Sequence, residues 1–294
     1  ASEHASSMGG SDIWLEPGET MSVDDLLKAT VIVCANDAAV ALAEYVSGSE
    51  EAFVQRMNER AAELGMTNTV FKNCNGLDED GHVTTAYDIA LMSRALIQHE
   101  KIFDYTQVWM DELRGGKTQL VNTNKLLKSY SGITGLKTGT TGKAGSCMAA
   151  TAERDGMSLV AVVLGCASTE DRFSSAASLL DAGFSGWALT APSLSSDALA
   201  PIAVEKGMQS TVAVEADPLT GVVVPKGRAG EVVCETTMEE TLTAPVEQGQ
   251  AVGEVTCVLD GEVLARSQIR AASSVEALTF SSAWLSLLRA VVSF

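Results

Sequence analysis

Histidine is scarce in this 294-residue chain, where His4, His82 and His99 are all there is, and no His-Glu-x-x-His occurs. A histidine-based metal site or a Ser-His-Asp triad has little material to form from. The six cysteines, Cys34, Cys74, Cys147, Cys166, Cys234 and Cys257, never come within four residues of one another, which removes the zinc-ribbon, zinc-finger and thioredoxin spacings. In a chain this long the even count reads more readily as scattered buried thiols than as a disulfide framework. Cations are also short: 20 Lys+Arg stand against 38 Asp+Glu, a formal net charge of -18. A polyanion would be repelled, so nucleic acid is excluded as the main partner, and a basic membrane-surface protein is disfavoured. No apolar run reaches transmembrane length, and the first residues lack a charged segment followed by an apolar one. Ala1–Gly10, without an initiator Met or a targeting pattern, reads as the interior of a longer chain.

What is present is a globular composition, 46% hydrophobic and 20% charged, enough for one large domain or a large and a small one. Residues 21–100 carry helical signals. Ser22 precedes Asp25 by three and opens an apolar run to Val33. Ser47 and Glu50 have capping-box spacing, Gly65 follows Leu64 as a stop, and the pattern predicts a helix over 50–64 with Phe53, Met57, Ala61 and Leu64 on one stripe. Thr85 caps a further helix through Gln98. The period then changes: residues 145–153 and 157–166 are β-rich around Asp155-Gly156, a favoured hairpin pair, and 170–182 return to helix.

A Ser/Pro/Ala-rich stretch at 187–200 predicts a linker between a first domain, 1–186, and a second, 201–277. The short runs Ser210–Glu215, Gly221–Val224, Glu231–Thr237 and Val252–Leu259 are spaced by Gly, Pro and Asp, the mark of a small all-β domain. In 278–294, Phe280, Trp284, Leu287, Leu288, Val291 and Val292 share one helical face and predict an amphipathic terminal helix.

Chemistry concentrates in two places. Gly135–Ala144 contains Gly142-Lys143, yet it is not a phosphate loop, because Ala144 follows the lysine and Lys137 stands where the first glycine belongs. Lys137-Thr138-Gly139 on an edge strand makes a docking rail instead: the ammonium sets a positive potential, the hydroxyl bonds an anion, and glycine lets a substrate backbone lie close. The second place is Cys34-Ala35-Asn36-Asp37, at the junction of two helical patterns. Asn36 either contacts a substrate carbonyl or a lysine, or simply caps the helix running to Val46. Cys34 reads more readily as a small buried thiol than as a nucleophile, having no identifiable histidine partner.

Ser-x-x-Lys, Ser-Asp-Asn and Lys-Thr-Gly together mark penicillin-binding proteins and class A β-lactamases. On the segments Ser2–Gly18, Cys34–Tyr45, Asn75–Ile89 and Lys137–Thr141, matched in order, the chain resembles the low-molecular-weight D-alanyl-D-alanine carboxypeptidases, penicillin-binding serine peptidases that trim peptidoglycan. The resemblance covers almost the whole chain. It implies an α+β fold: a β-lactamase/transpeptidase-like catalytic domain with an antiparallel sheet and helices, then a small β-sandwich and an amphipathic helix. Two departures stand out. None of the ten lysines has serine three positions before it, Thr134-Gly135-Leu136-Lys137 being the nearest imitation; the resemblance places Ser-x-x-Lys upstream of Ala1, so these residues alone are expected to be inactive. Cys34 stands where the family usually has serine, and a thiol is the weaker hydrogen-bonding group.

Carried over, the resemblance assigns Cys34 and Asn36 to the proton relay and the lysine or carbonyl contact. Lys137 supplies the potential, and Thr138, Gly139 and Thr140 dock the peptide and its terminal carboxylate. Arg172 is either a second carboxylate anchor or half of a helix-surface ion pair. His82 is structural or partly exposed rather than catalytic, and His4 with Ser6-Ser7 stands in a matched segment that would line the cleft. The implied partners are a peptidoglycan pentapeptide ending in D-Ala-D-Ala and β-lactam antibiotics, with no metal or organic cofactor. The implied location is the cell-wall side of a bacterial membrane, with peripheral contact through 280–294, unless that helix docks on the β domain or is cut short of a longer anchor. Two alternatives stay open, a β-lactamase-type hydrolase and a non-catalytic cell-wall-binding protein.

Overall fold

The computed structural model describes residues 1–281 and Trp284, and the chain divides into two compact units, Ala1–Ser185 and Gly186–Phe294. Most of the expected terminal amphipathic helix, including Leu287, Leu288, Val291 and Val292, lies outside the described residues. Among the described residues no helix is long and apolar enough to cross a membrane.

The first unit begins with helices α1 (Glu3–Ser6), α2 (Val23–Ile32), α3 (Asn36–Ser47), α4 (Glu50–Glu63) and α5 (Ala86–Leu96), followed by the short α6 (Phe103–Thr106). Ser22 caps α2 by accepting from Asp25 N at 3.0 Å, and Thr85 caps α5 by accepting from Asp88 N at 3.1 Å. The cap of α4 is Ser49, whose Oγ accepts from Ala52 N, and not the expected Ser47; Gly48, at φ +85°, ends α3 there and leaves only Ser49 free to turn into the next helix. Leu26, Ala29 and Ile32 of α2 pack with Ala35, Ala38, Ile13 and Leu15 into the helical core. Leu113 and Leu120 of the hairpin β1 (Met110–Leu113) and β2 (Thr118–Val121) complete it.

The second half of this unit is an antiparallel sheet in the order β3 (Ile133–Thr141), β4 (Gly145–Arg154), β5 (Met157–Cys166), so β3 is an edge. Asp155 and Gly156, at φ +52° and +75°, make the tight β4–β5 turn, the double left-handed geometry of a type I′ hairpin. Helix α7 (Thr169–Gly186) lays Ala176, Leu180 and Phe184 against Met148, Ala150, Ala152 and Ala161; small alanines on the strands let the helix approach closely.

Up to Ala277 the described residues of the second unit are built mainly of β-strands. Strands β11 (Val233–Met238), β13 (Ala251–Leu259), β14 (Glu262–Ala271) and β9 (Val214–Ala216) form one sheet in that order. A second contains β12 (Thr241–Thr243), β7 (Ile202–Glu205) and β8 (Thr211–Val212). The run expected as one strand over 210–215 is split, β8 joining one sheet and β9 the other. Trp187–Thr190, expected within the linker, form β6 and pair antiparallel with β10 (Val222–Pro225), because the Ser/Pro/Ala composition that breaks strands sets in only at Ala191. The buried faces of these three sheets are aliphatic, including Val212, Val224, Val252, Val255 and Ile269. The expectation of scattered thiols is corrected here: Cys234 and Cys257 face each other across β11 and β13 and form a disulfide. Cys34, Cys74, Cys147 and Cys166 are free.

Candidate active site

The turn between α2 and α3 sets Cys34. Ala35 N donates back to Ala29 O at 3.1 Å, a seven-residue closure over the end of α2, and Cys34, just past the C-cap Val33, takes the left-handed conformation at φ +62°. Glycine is the usual occupant there, since a Cβ in this region costs about 1–2 kcal/mol. The strain is held by neighbours: Ala35 is packed in the helical core, and Asn36 N donates to Ser11 O at 2.8 Å.

Asn36 is the first residue of α3 rather than its cap, the cap position being Ala35, which offers no side-chain bond. Its Nδ2 donates to Gly9 O at 2.7 Å. Gly10, at φ +89°, passes so near that a Cβ there would lie 2.8 Å from Asn36 Nδ2, so the Gly9-Gly10 turn is shaped around this amide. Asp37, buried beside it, accepts from Ile13 N and Leu15 N at 3.1 and 3.0 Å and clamps the incoming segment.

From the edge of the sheet, Lys137 reaches across to this turn. Its Nζ donates to Thr138 O at 2.9 Å and to Cys34 Sγ. Thr123, which belongs to no motif in the sequence, joins the two sides. Its N donates to Ile32 O, its Oγ1 lies 3.6 Å from Cys34 Sγ, and it shares a 2.6 Å hydrogen bond with Thr138 Oγ1. Burial pushes the Cys34 thiol up. The charge and hydrogen bond of Lys137, with the bonds to Thr123 and Thr138, outweigh that and leave it below its ordinary value.

Thr138 is buried with its hydroxyl already engaged, whereas Gly139 and Thr140 are exposed on the rail. Arg172 is not half of a surface ion pair. It is only 6% exposed, and its Nη1 donates to Gly139 O at 3.2 Å, Thr140 Oγ1 at 3.1 Å and Cys147 O at 3.4 Å, so it braces the rail directly. Beyond the rail, the 76–84 loop is clamped onto the β3–β4 turn by Lys143 N on Asp78 Oδ2 and Lys143 Nζ on Asp80 Oδ1. A cavity of about 700 Å³ lies between that loop and Thr141, Lys143 and Cys147.

The other residues that the sequence placed near the site serve structure. His4 Nε2 pairs with Glu50 Oε2 at 2.7 Å, and Ser6 and Ser7 bond carbonyls of their own short helix, so none of the three points to a cleft role. His82 packs edge-on against Phe71, and burial lowers its imidazole. Among the described residues no group of three or more His, Cys, Asp or Glu is placed to hold a metal ion.

With this geometry in place, comparison with known proteins is consistent from end to end. The sequence profile for D-alanyl-D-alanine carboxypeptidase, peptidase family S11, matches residues 1–168, and that for the penicillin-binding protein 5 C-terminal domain matches 194–277. The chain is 41% identical over 283 residues to the D-alanyl-D-alanine carboxypeptidase DacF of Bacillus subtilis (strain 168), covering 95% of this chain and 73% of that one. Among solved structures, penicillin-binding protein 5 from Haemophilus influenzae superposes with a TM-score of 0.74 at 28% identity, over 91% of this chain and 78% of its own. Penicillin-binding protein D2 from Listeria monocytogenes, in a cefotaxime-bound form, gives 0.53 at 39% identity, over 56% and 68%. The chain belongs to the D-alanyl-D-alanine carboxypeptidase family of serine peptidases, whose function lies in peptidoglycan metabolism.

Proposed function

We propose that the Cys34–Lys137 junction is the receptor half of a carboxypeptidase that removes the terminal D-Ala from peptidoglycan stem peptides on the cell-wall side of the membrane. The observation that carries this reading is the hydrogen bond from Lys137 Nζ to Cys34 Sγ, which brings together two motifs 103 residues apart. Lys137 supplies positive potential at the point where the peptide's terminal carboxylate arrives. Gly139 leaves room for substrate backbone, and Thr140 offers its hydroxyl to the carboxylate while Arg172 holds the strand in place. Thr138 contributes through Thr123 rather than by touching substrate. Cys34 and Asn36 stand at the leaving-amine side, where a thiol, less apt than a hydroxyl as a hydrogen-bond partner, makes proton transfer slow or dependent on water.

The acyl-enzyme chemistry needs a serine with its lysine, and none of the ten lysines within these 294 residues has serine three positions before it. This polypeptide on its own therefore binds without turning over. A β-lactam mimics the D-Ala-D-Ala terminus and is expected at the same rail, as the cefotaxime-bound Listeria relative supports.

Fluorescent penicillin tests the reading. The polypeptide of these residues remains unlabelled, whereas one extended by a Ser-x-x-Lys segment is acylated and releases D-Ala from a D-Ala-D-Ala peptide. In that longer chain Lys137→Ala lowers D-Ala release by about a hundredfold, the scale for loss of one charged transition-state contact. Labelling of the unextended polypeptide would place a nucleophile within it. Rapid hydrolysis of a chromogenic cephalosporin without D-Ala release would favour the β-lactamase alternative.

A further inference from the structure

We propose that Cys34 is a modification site, a reactive thiol that hydroperoxides oxidise and soft carbon electrophiles alkylate. The proposal shares Lys137 with the carboxypeptidase reading, but it rests on contacts around sulfur and on no acyl transfer.

Four features meet at this sulfur. Lys137 Nζ donates to it from β3, so a full positive charge is in contact with Sγ. Thr123 Oγ1, 3.6 Å away, is placed to donate to it once it is a thiolate, and the thiol form donates to Thr138 O at 3.8 Å. Arg172 from α7 lies within electrostatic reach of Cys34, Cys147 and Cys166; its Nε is buried and unpartnered among the described residues, so its charge is not cancelled by a carboxylate. The strongest influences on Cys34 are burial, Lys137, Thr123 and Thr138, none of them acidic, and the residue stays partly exposed, so small reagents reach it. A cation in contact with the sulfur, backed by a second within electrostatic reach, favours the thiolate, the form that reacts.

Cys74 provides the opposite environment in the same molecule. Its N donates to Glu50 Oε1 at 3.1 Å, and burial together with that carboxylate pushes its thiol up to about 12. The two half-buried thiols differ chiefly in the sign of their neighbour.

With a hydroperoxide, a sulfur lone pair attacks the terminal peroxide oxygen. An S–O bond forms as the O–O bond breaks, sulfur gives up two electrons, and the peroxide is reduced. The departing oxide takes a proton from the Lys137 ammonium, which regains one from solvent. The products are a sulfenic acid at Cys34 and water or an alcohol. With iodoacetamide an S–C bond forms and iodide leaves.

The test uses the 294-residue polypeptide and needs no turnover, so it fails or succeeds independently of penicillin labelling. Iodoacetamide is applied between pH 5 and 9, and alkylation is read at each cysteine by peptide mass spectrometry. Cys34 is expected to show a midpoint below the free-thiol value near 8.5, while Cys74 stays unreactive throughout. After a short pulse of hydrogen peroxide, a dimedone adduct is expected on the Cys34 peptide. Lys137→Gln should raise the Cys34 midpoint and slow its labelling at pH 7 by about fivefold or more, leaving Cys74 unchanged. Thr123→Val, nearly isosteric, should raise the midpoint as well and serves if the lysine variant does not fold. A Cys34 midpoint at or above 8.5, or one that neither substitution moves, overturns the proposal, as does dimedone trapped only at other cysteines.

Discussion

Arg172 on α7 holds Thr140 on the exposed end of β3, its Nη1 lying 3.1 Å from the threonine hydroxyl and 3.2 Å from the neighbouring Gly139 carbonyl. Gly139 has no side chain to fix its strand, and an edge strand lacks a second neighbour. A planar guanidinium donating to two backbone carbonyls and one hydroxyl supplies the missing constraint. The rail is thereby rigid where the proposed peptide would lie.

Arg172→Met keeps an unbranched apolar stem while removing the donors. The carbonyls of Gly139 and Cys147 are then left without this partner, and the first unit should lose about 2–4 kcal/mol, measured as a fall in the urea midpoint. Arg172→Lys should recover only part of that, because all three bonds are made by Nη1, one bond beyond the reach of a lysine ammonium. A methionine variant as stable as the parent would show that the contacts are incidental.

Gly10→Ala asks how tightly the Asn36 amide is held. The backbone at φ +89° disfavours any Cβ, and the added carbon would lie 2.8 Å from Asn36 Nδ2. The expected loss is about 1–2 kcal/mol from the backbone alone. In a chain carrying Ser-x-x-Lys, penicillin acylation should also slow, because Asn36 must move to admit the methyl. Lost stability with unchanged acylation would separate Asn36 from the reaction.

Local signals in the sequence were legible where one residue acts on its own neighbours. Ser22 and Thr85 cap their helices, Asp155-Gly156 turns its hairpin, and Lys137-Thr138-Gly139 lies on an edge strand as its pattern implied. Signals failed where the partner is distant. Thr123 is an ordinary loop threonine until the fold brings it to Cys34, 89 residues away. Asn36 looked like a cap because asparagine caps helices well, but tertiary contact with Gly9 moved it one position inside. Cys234 and Cys257 carry no spacing motif, and only the strand register sets them opposite one another. The unpaired β3 edge needed Arg172, whose placement depends on α7 packing against the sheet.

His4 gives a pH-dependent tie between α1 and α4. Donating its Nε2–H to the Glu50 carboxylate raises its imidazole above the ordinary value, with burial opposing. A raised folded value means the stabilising contribution is complete below the unfolded value near pH 6.5 and fades as pH rises through the folded one. The side chain is 50% exposed, so the effect is modest, under about 1 kcal/mol. His4→Gln should therefore cost more stability at pH 6 than at pH 8 by chemical denaturation; equal losses at both would show that the ion pair contributes nothing.

The second unit should depend on its disulfide more than its size suggests. Cys234 and Cys257 close a stretch of 23 residues that contains β12 and the turns on either side of it. β12 is only three residues long and pairs with β7 in parallel, so the segment has few ladder bonds of its own. Cross-linking its ends removes disorder from the unfolded chain worth about 3 kcal/mol on the loop-entropy scale. Cys234→Ala with Cys257→Ala should lower the unfolding midpoint of this unit by that amount, and reductant should lower the parent's midpoint but not the variant's. Because Cys257 is fully buried against aliphatic neighbours, alanine also opens a small void there. The double serine variant, closer in volume, should lose a similar cross-link contribution, with the buried hydroxyl adding a penalty of its own. If both variants match the oxidised parent, β12 is held by packing alone.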